Sequence, residues 1–269
     1  MTPPLPDSPT PSPPAPTGPA GTAGLDVEVR DDLAEVFRDA GTEGTFVLYD
    51  VAGDRLVTVN PARAEQPFVP ASTFKIPHSL IALETGAVAD EHEIVPYGDE
   101  PQPVAAWEQD MALPDAVRQS NVPVFQELAR RIGIDAEQDW LVRLGYGNTQ
   151  VGVEVERFWL DGPLEVSADE QVRWLARLAR QELPASAEHQ AVVRDLALVE
   201  DTGRYALYGK TGWVADVTPQ VGWWVGWVER DGDVYAFALN MDLGTADDAG
   251  LRIPLGRDLL HRLEVLPDR

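Results

Sequence analysis

The stretch Trp223-Trp-Val-Gly-Trp-Val-Glu-Arg-Asp-Gly-Asp-Val-Tyr-Ala-Phe-Ala-Leu-Asn-Met241 decides how the rest of the chain is read. β-Branched and aromatic residues crowd both halves, and Asp231-Gly232-Asp233 between them supplies a turn, so the stretch reads as a β-hairpin. A similar hairpin lies near the other end, where Thr45-Phe-Val-Leu-Tyr-Asp50 and Arg55-Leu-Val-Thr-Val-Asn60 are separated by a Gly-Asp turn. Between the two, roughly residues 72–200 carry helical signals: Val124 to Ile132, Ala136 to Leu144 entered through Asp135, and Ala168 to Leu183 entered through Ser167-Ala-Asp-Glu170, a capping-box spelling. Val172, Leu175, Leu178 and Ala179 fall on one face of the last, and Leu255 to Leu266 reads as a further helix. The expected fold is therefore mixed α/β. An antiparallel sheet takes strands from both chain ends, is flanked by helices, and carries an inserted all-helical subdomain at roughly 76–200.

The first 24 residues hold nine prolines among Thr, Ser, Gly and Ala, and cannot build a core; they read as a disordered tether ahead of a single domain at 25–269. No basic start followed by an apolar run marks a secretory signal, although a proline-rich spacer suits an exported domain. Basic residues number 21 against 45 acidic ones, a net charge of −24 that repels phosphate backbones and argues against nucleic acid as a partner. No run of about 18 apolar residues could cross a bilayer. Cysteine is absent, which excludes disulfides, thiolate metal sites and thiol nucleophiles. The four histidines, His78, His92, His189 and His261, show no metal-ligand spacing and read as packing or surface residues, so no metal is expected.

Two lysines stand among 19 arginines, and only an amine can lose its proton and act as a base. Lys75 closes Pro70-Ala-Ser-Thr-Phe-Lys75, three residues after Ser72, so on a helix the amine and the hydroxyl share a face. A serine at a helix start also lies beside amides that can stabilise an oxyanion. With seven Ser and two Lys, Ser-x-x-Lys arises by chance in about one such chain in twenty, so the tetrad alone is suggestive. Lys210 opens Lys210-Thr-Gly212 in a β-prone context, where a strand edge, an ammonium and the Thr211 hydroxyl could hold a carboxylate. No Gly-x-Ser-x-Gly is present to supply a nucleophile elbow.

Taken together, Pro70-Ala-Ser-Thr-Phe-Lys-Ile-Pro77, Ser120-Asn-Val122, Tyr146-Gly-Asn148, Phe158-Trp-Leu-Asp-Gly162, Lys210-Thr-Gly212 and Trp223-Trp-Val-Gly-Trp-Val-Glu229 resemble the penicillin-recognising serine enzymes, and within them the class D β-lactamases of the oxacillinase type. The resemblance runs from about Asp26 to the C-terminus. It implies hydrolysis of the β-lactam amide of penicillin-type antibiotics, with resistance as the outcome. By the resemblance, Ser72 is the nucleophile, with the backbone N–H groups of Ser72 and Trp213 as oxyanion hole. Lys75 is carboxylated by CO2 to N6-carboxylysine and serves as general base, with no other cofactor. Trp159 holds the carbamate, Phe74 and Val122 give it an apolar cover, Ser120 and Lys210 relay the proton near the lactam nitrogen, and Val122, Thr211, Gly212, Trp213 and Arg252 contact substrate.

Desolvation by Phe74, Val122 and Trp159 would lower a lysine pKa, as CO2 addition to an unprotonated amine requires. Asn121 within Ser-x-Val and the short segment from Trp213 to Gly222 depart from the commonest family pattern. Further expectations from the resemblance are a β-lactam as small-molecule partner, a monomer or homodimer, and an extracytoplasmic location. Two alternatives share these motifs. A penicillin-sensing receptor domain is acylated without turnover, and a transpeptidase or carboxypeptidase acts on cell-wall peptides.

Overall fold

The computed structural model describes residues 25–267, so the tether read over residues 1–24 lies outside the described residues. In chain order the elements are β1 (Asp26–Val29), α1 (Glu35–Asp39), β2 (Gly44–Asp50), β3 (Arg55–Val59), α2 (Pro61–Ala64), α3 (Lys75–Thr85), α4 (Leu113–Arg118), α5 (Val122–Ile132), α6 (Ile134–Leu144), α7 (Ala168–Ala179), α8 (Ala187–Ala197), β4 (Leu198–Asp201), β5 (Ala206–Val214), β6 (Gln220–Arg230), β7 (Asp233–Leu243) and α9 (Arg252–Arg262). The strands form one sheet in the order β1-β3-β2-β7-β6-β5-β4. Both hairpins read from the sequence are present, and β2 from the first pairs with β7 from the second, Gly44 opposite Met241 and Asp50 opposite Tyr235. In the β6–β7 turn Asp231 and Gly232 both take positive φ, 56° and 89°, the turn geometry whose twist matches a two-residue hairpin.

Helices cover both faces of the sheet, which is why β6 is buried along nearly its whole length and reads as a continuous apolar run rather than an alternating one. Trp223 and Trp227 enter the core shared with α3, α5 and α7, while Trp224 and Val228 enter the opposite core with Phe37 of α1 and Leu259 and Leu260 of α9. Gly256 lets α9 lie directly on the Trp224 ring, with which any β-carbon at that position would collide.

The sheet departs from the expected all-antiparallel form at one edge, where β1 runs parallel to β3 with Val27 opposite Leu56. Its four residues are mostly exposed and half acidic, so no alternation announces it. Helix boundaries also differ, α5 starting at Val122 rather than Val124. α7 keeps the Ser167–Glu170 capping box but stops at Ala179, since Gln181 has turned to a φ of 56°. α6 starts behind Gly133, leaving Asp135 in its first turn rather than at its cap. α9 begins at Arg252 and ends at Arg262, and the buried Val265 and Leu266 reach the core from a turn beyond it. α8 and β4 carry no strong sequence signal.

Candidate active site

Residues Ala71–Phe74 form a 3-10 turn that runs straight into α3, whose first residue is Lys75. The turn places Lys75 Nζ at 3.1 Å from Ser72 Oγ, the geometry the i, i+3 spacing predicts. Lys75 is fully buried, with Nζ 5.0 Å from the centroid of the Phe125 ring. Burial pulls its amine well below the ordinary lysine range, and the charge of Lys210 pulls it the same way. A neutral amine beside a serine hydroxyl can accept the hydroxyl proton or take up CO2.

A second serine–lysine pair closes the site. Ser120 occupies the sharp turn before α5, with a φ of 56°, and its hydroxyl accepts a 2.8 Å hydrogen bond from Lys210 Nζ, 90 residues later in the chain. Asn121, the unusual middle residue, caps α5 by accepting from Val124 N at 3.0 Å, and Pro123 fills the first turn, where its missing N–H is harmless. Lys210 is 6% exposed, and burial first, then the neighbouring Arg252 guanidinium, brings its pKa down to about 7.

β5 carries Lys210, Thr211, Gly212 and Trp213. On one side it pairs with β6 along its whole length, whereas β4 on the other side pairs only as far as Tyr208. Residues 209–214 therefore present an unpaired strand edge to the cleft, able to hydrogen-bond an extended amide. Gly212 allows the Ser72 turn to press against this edge, because a β-carbon there would stand 2.8 Å from the Pro70 carbonyl oxygen and 3.0 Å from Thr73 Cγ2. Arg252, at the start of α9, donates to the Gly212 carbonyl at 2.5 Å and to the Ala249 carbonyl at 2.6 Å, which fixes a cation beside Thr211. Trp213 stands 40% exposed at the mouth, its indole donating to Gln220 Oε1 at 2.8 Å. A cleft of about 540 Å³ opens on Lys210 and Thr211 and continues between Arg118, Leu196 and Leu198.

Behind Lys75 lies an aromatic wall. Trp159 is fully buried, stacked on Phe74 with centroids 5.9 Å apart, and its Nε1 finds no hydrogen-bond partner among the described residues. A buried indole N–H without an acceptor carries a desolvation cost, so this donor fits an added carboxylate on the neighbouring lysine. Val122 is half-buried at the start of α5, a rim position rather than a core one. Ser72 thus meets Lys75, Ser120 meets Lys210, Arg252 meets Gly212, and Phe74 and Trp159 stand together in the aromatic wall. Sequence reading missed Phe125, although its place three residues beyond Val122 on one helix face could have pointed to it, and it missed Gln220 and a buried pair formed by His78 and Glu137.

Comparison with known proteins agrees with this geometry. Residues 44–261 match the family described as penicillin binding protein transpeptidase domain. The chain is 40% identical to Beta-lactamase OXA-48 of Klebsiella pneumoniae over 231 residues, covering 86% of this chain and 87% of that one. It is 41% identical to Beta-lactamase OXA-5 of Pseudomonas aeruginosa over 224 residues, covering 81% and 84%. Among solved structures, the class D β-lactamase YbXI from Nostoc superposes with a TM-score of 0.85 at 40% identity, covering 88% of this chain and all of that one. The class D β-lactamase FUS-1 from Fusobacterium nucleatum gives a TM-score of 0.86 at 36% identity, covering 89% and 100%.

Proposed function

The chain belongs to the class D β-lactamases, and from that membership we propose that it opens the lactam ring of penicillin-type antibiotics through a Ser72 acyl-enzyme, with carboxylated Lys75 as general base. The observation that carries the reading is the pairing of a desolvated Lys75 at 3.1 Å from Ser72 Oγ with the unpartnered buried Nε1 of Trp159 on the same aromatic wall. Carboxylation at Nζ would give Ser72, and later a water molecule, a base of suitable strength in a dry pocket.

The remaining residues supply binding and proton traffic. Ser72 Oγ attacks the lactam carbonyl carbon, the C–N bond breaks, and the departing ring nitrogen takes a proton. Ser120 and Lys210 stand where that proton would travel, and a lysine with a pKa of about 7 can both give and receive it near neutral pH. Thr211, Lys210 and Arg252 would hold the substrate carboxylate. The backbone N–H of Trp213 on β5 and that of Ser72 would face the oxyanion, and the Trp213 ring would cover the bound antibiotic. Water then cleaves the ester, releases the ring-opened acid and returns Ser72. At a net charge of −24 the protein repels its anionic substrates at long range, so these local cations must provide the attraction. No helix among the described residues is long and apolar enough to cross a membrane. An extracytoplasmic site of action and a resistance role belong to the same proposal.

Intact-mass measurement tests the acyl-enzyme. The parent should show a penicillin adduct that disappears as product accumulates, and Ser72→Ala should show none. A stoichiometric adduct on Ser72→Ala overturns the nucleophile assignment, and a parent adduct that never decays marks a penicillin sensor instead.

A further inference from the structure

His78 follows Lys75 by three residues on the same face of α3, and the serine–lysine chemistry makes no use of it. Its ring is fully buried, and so is Glu137, which reaches it from α6: Nε2 and Oε1 stand 2.7 Å apart. The alignment falls short of a hydrogen bond at either atom, so the two groups form an ion pair when both are charged. The rings of Phe74, Phe125, Phe158 and Trp159 enclose the imidazole, with centroids between 5.0 and 6.4 Å from its own. Phe125 also lies against Lys75 Nζ, and Trp159 bears the unpartnered donor of the aromatic wall. The pair and the base therefore share the Phe125 ring, and in such apolar surroundings charges are felt strongly.

Carboxylation of Lys75 forms an N–C bond between the amine and CO2, converts one C=O to a carboxylate and releases one proton, so it creates a buried negative charge. A carboxylate behind the aromatic wall would oppose a second anion if it stood alone. Backed onto His78, the charge of Glu137 would be offset, and a charged pair would have its positive end on α3, the helix that carries Lys75. The ion pairs of the surrounding elements lie nearer the surface: Glu84 with His189, Glu127 with Arg130 and Arg131, Asp115 with Arg118, Arg194 with Glu229, and Arg157 with Asp161. Lys210 stands across the cleft on Ser120.

We propose that His78, oriented by Glu137, is a positioning residue for the general base: it braces the Trp159 indole and sets the positive end of a buried pair behind Lys75, stabilising the carboxylated lysine against loss of CO2. The inference rests on the carboxylysine reading above.

Bicarbonate titration tests it. The full chain is stripped of CO2, and turnover of a chromogenic cephalosporin is followed as bicarbonate is restored. Glu137→Gln keeps the shape of the side chain and removes the anion that makes His78 the positive end of the pair, so the pair no longer favours a carboxylate on Lys75. The bicarbonate concentration for half-maximal activity should rise roughly threefold to thirtyfold, the range for neighbours coupled in one buried network. The KM for the lactam should stay constant, and excess bicarbonate should restore kcat. His78→Phe combined with Glu137→Met removes both charges while keeping an apolar volume, and should show the same shift. It serves where the single variant does not fold. A parent that requires bicarbonate, with variants whose half-activating concentration is unchanged or lowered, overturns the role of the pair. A parent indifferent to bicarbonate instead overturns the carboxylysine reading.

Discussion

Gly212 of β5 faces Pro70 so closely that a β-carbon would stand 2.8 Å from the Pro70 carbonyl oxygen. The contact seats the Ser72 turn on the strand that carries Lys210, and backbone cannot yield as a flexible side chain can. Gly212→Ala should therefore push the turn off the strand and lower kcat/KM by about 100-fold, since a misplacement near 1 Å has effects of that order. Steady-state kinetics decide the point, and near-parent turnover would show that the turn accommodates the methyl group.

Lys210, with a pKa near 7, is charged below that pH and neutral above it. Measured at saturating bicarbonate, kcat/KM should fall as pH increases through about 7, because only the charged amine can hand Ser120 the proton that the departing nitrogen takes and help hold the substrate carboxylate. Arginine keeps its charge at every accessible pH. Lys210→Arg should thus retain some substrate binding, lose roughly 100-fold or more in turnover, and lose this limb of the pH profile. An identical limb in the variant would place the titration elsewhere.

Trp159→Phe preserves stacking on Phe74 and deletes the unpartnered Nε1 donor. Removing this indole donor from a carboxylated Lys75 should weaken CO2 retention by about 1–3 kcal/mol. Carbon-13 NMR with labelled bicarbonate should show a carbamate signal in the parent, a reduced one in Trp159→Phe and none in Lys75→Ala. Equal signals in parent and Trp159→Phe would deny the indole that role.

Ser167 and Glu170 exchange hydrogen bonds at the start of α7, Glu170 N to Ser167 Oγ at 3.2 Å and Ser167 N to Glu170 Oε2 at 2.8 Å. Ser167→Ala should cost about 1 kcal/mol in denaturant unfolding and leave the lactam KM unchanged. A larger loss, or a changed KM, would tie this cap to the site.

What the sequence made legible follows from how local each signal is. The two hairpins are written in contiguous residues, so both were readable, as was the capping box of α7. Ser72 and Lys75 lie one turn apart, and Lys210-Thr-Gly212 stood out because lysine is so rare in this chain. The edge strands β1 and β4 left no mark, being four residues each, largely exposed and partly acidic. The parallel pairing of β1 depends on β3, which no pattern within β1 could announce. His78 and Glu137 lie on separate helices, and neither position carries a local signal for the other. Their partnership exists only once α3 and α6 have packed, and a lone histidine on an apolar face reads as ordinary core.

The pairing of β2 with β7 also bears on the order in which the protein can be made. The two strands sit side by side at the middle of the sheet, yet Gly44 and its partner Met241 are separated by roughly 200 residues of chain, so loop closure is slow and entropically costly. A nascent chain that has exposed Ser72 and Lys75 still lacks β5, which carries Lys210, and lacks the strand that locks the first hairpin in place. Activity should consequently emerge late and abruptly during synthesis, after β7 and α9 have left the ribosome, and truncation ahead of β7 should yield chains that cannot protect β2 from proteolysis.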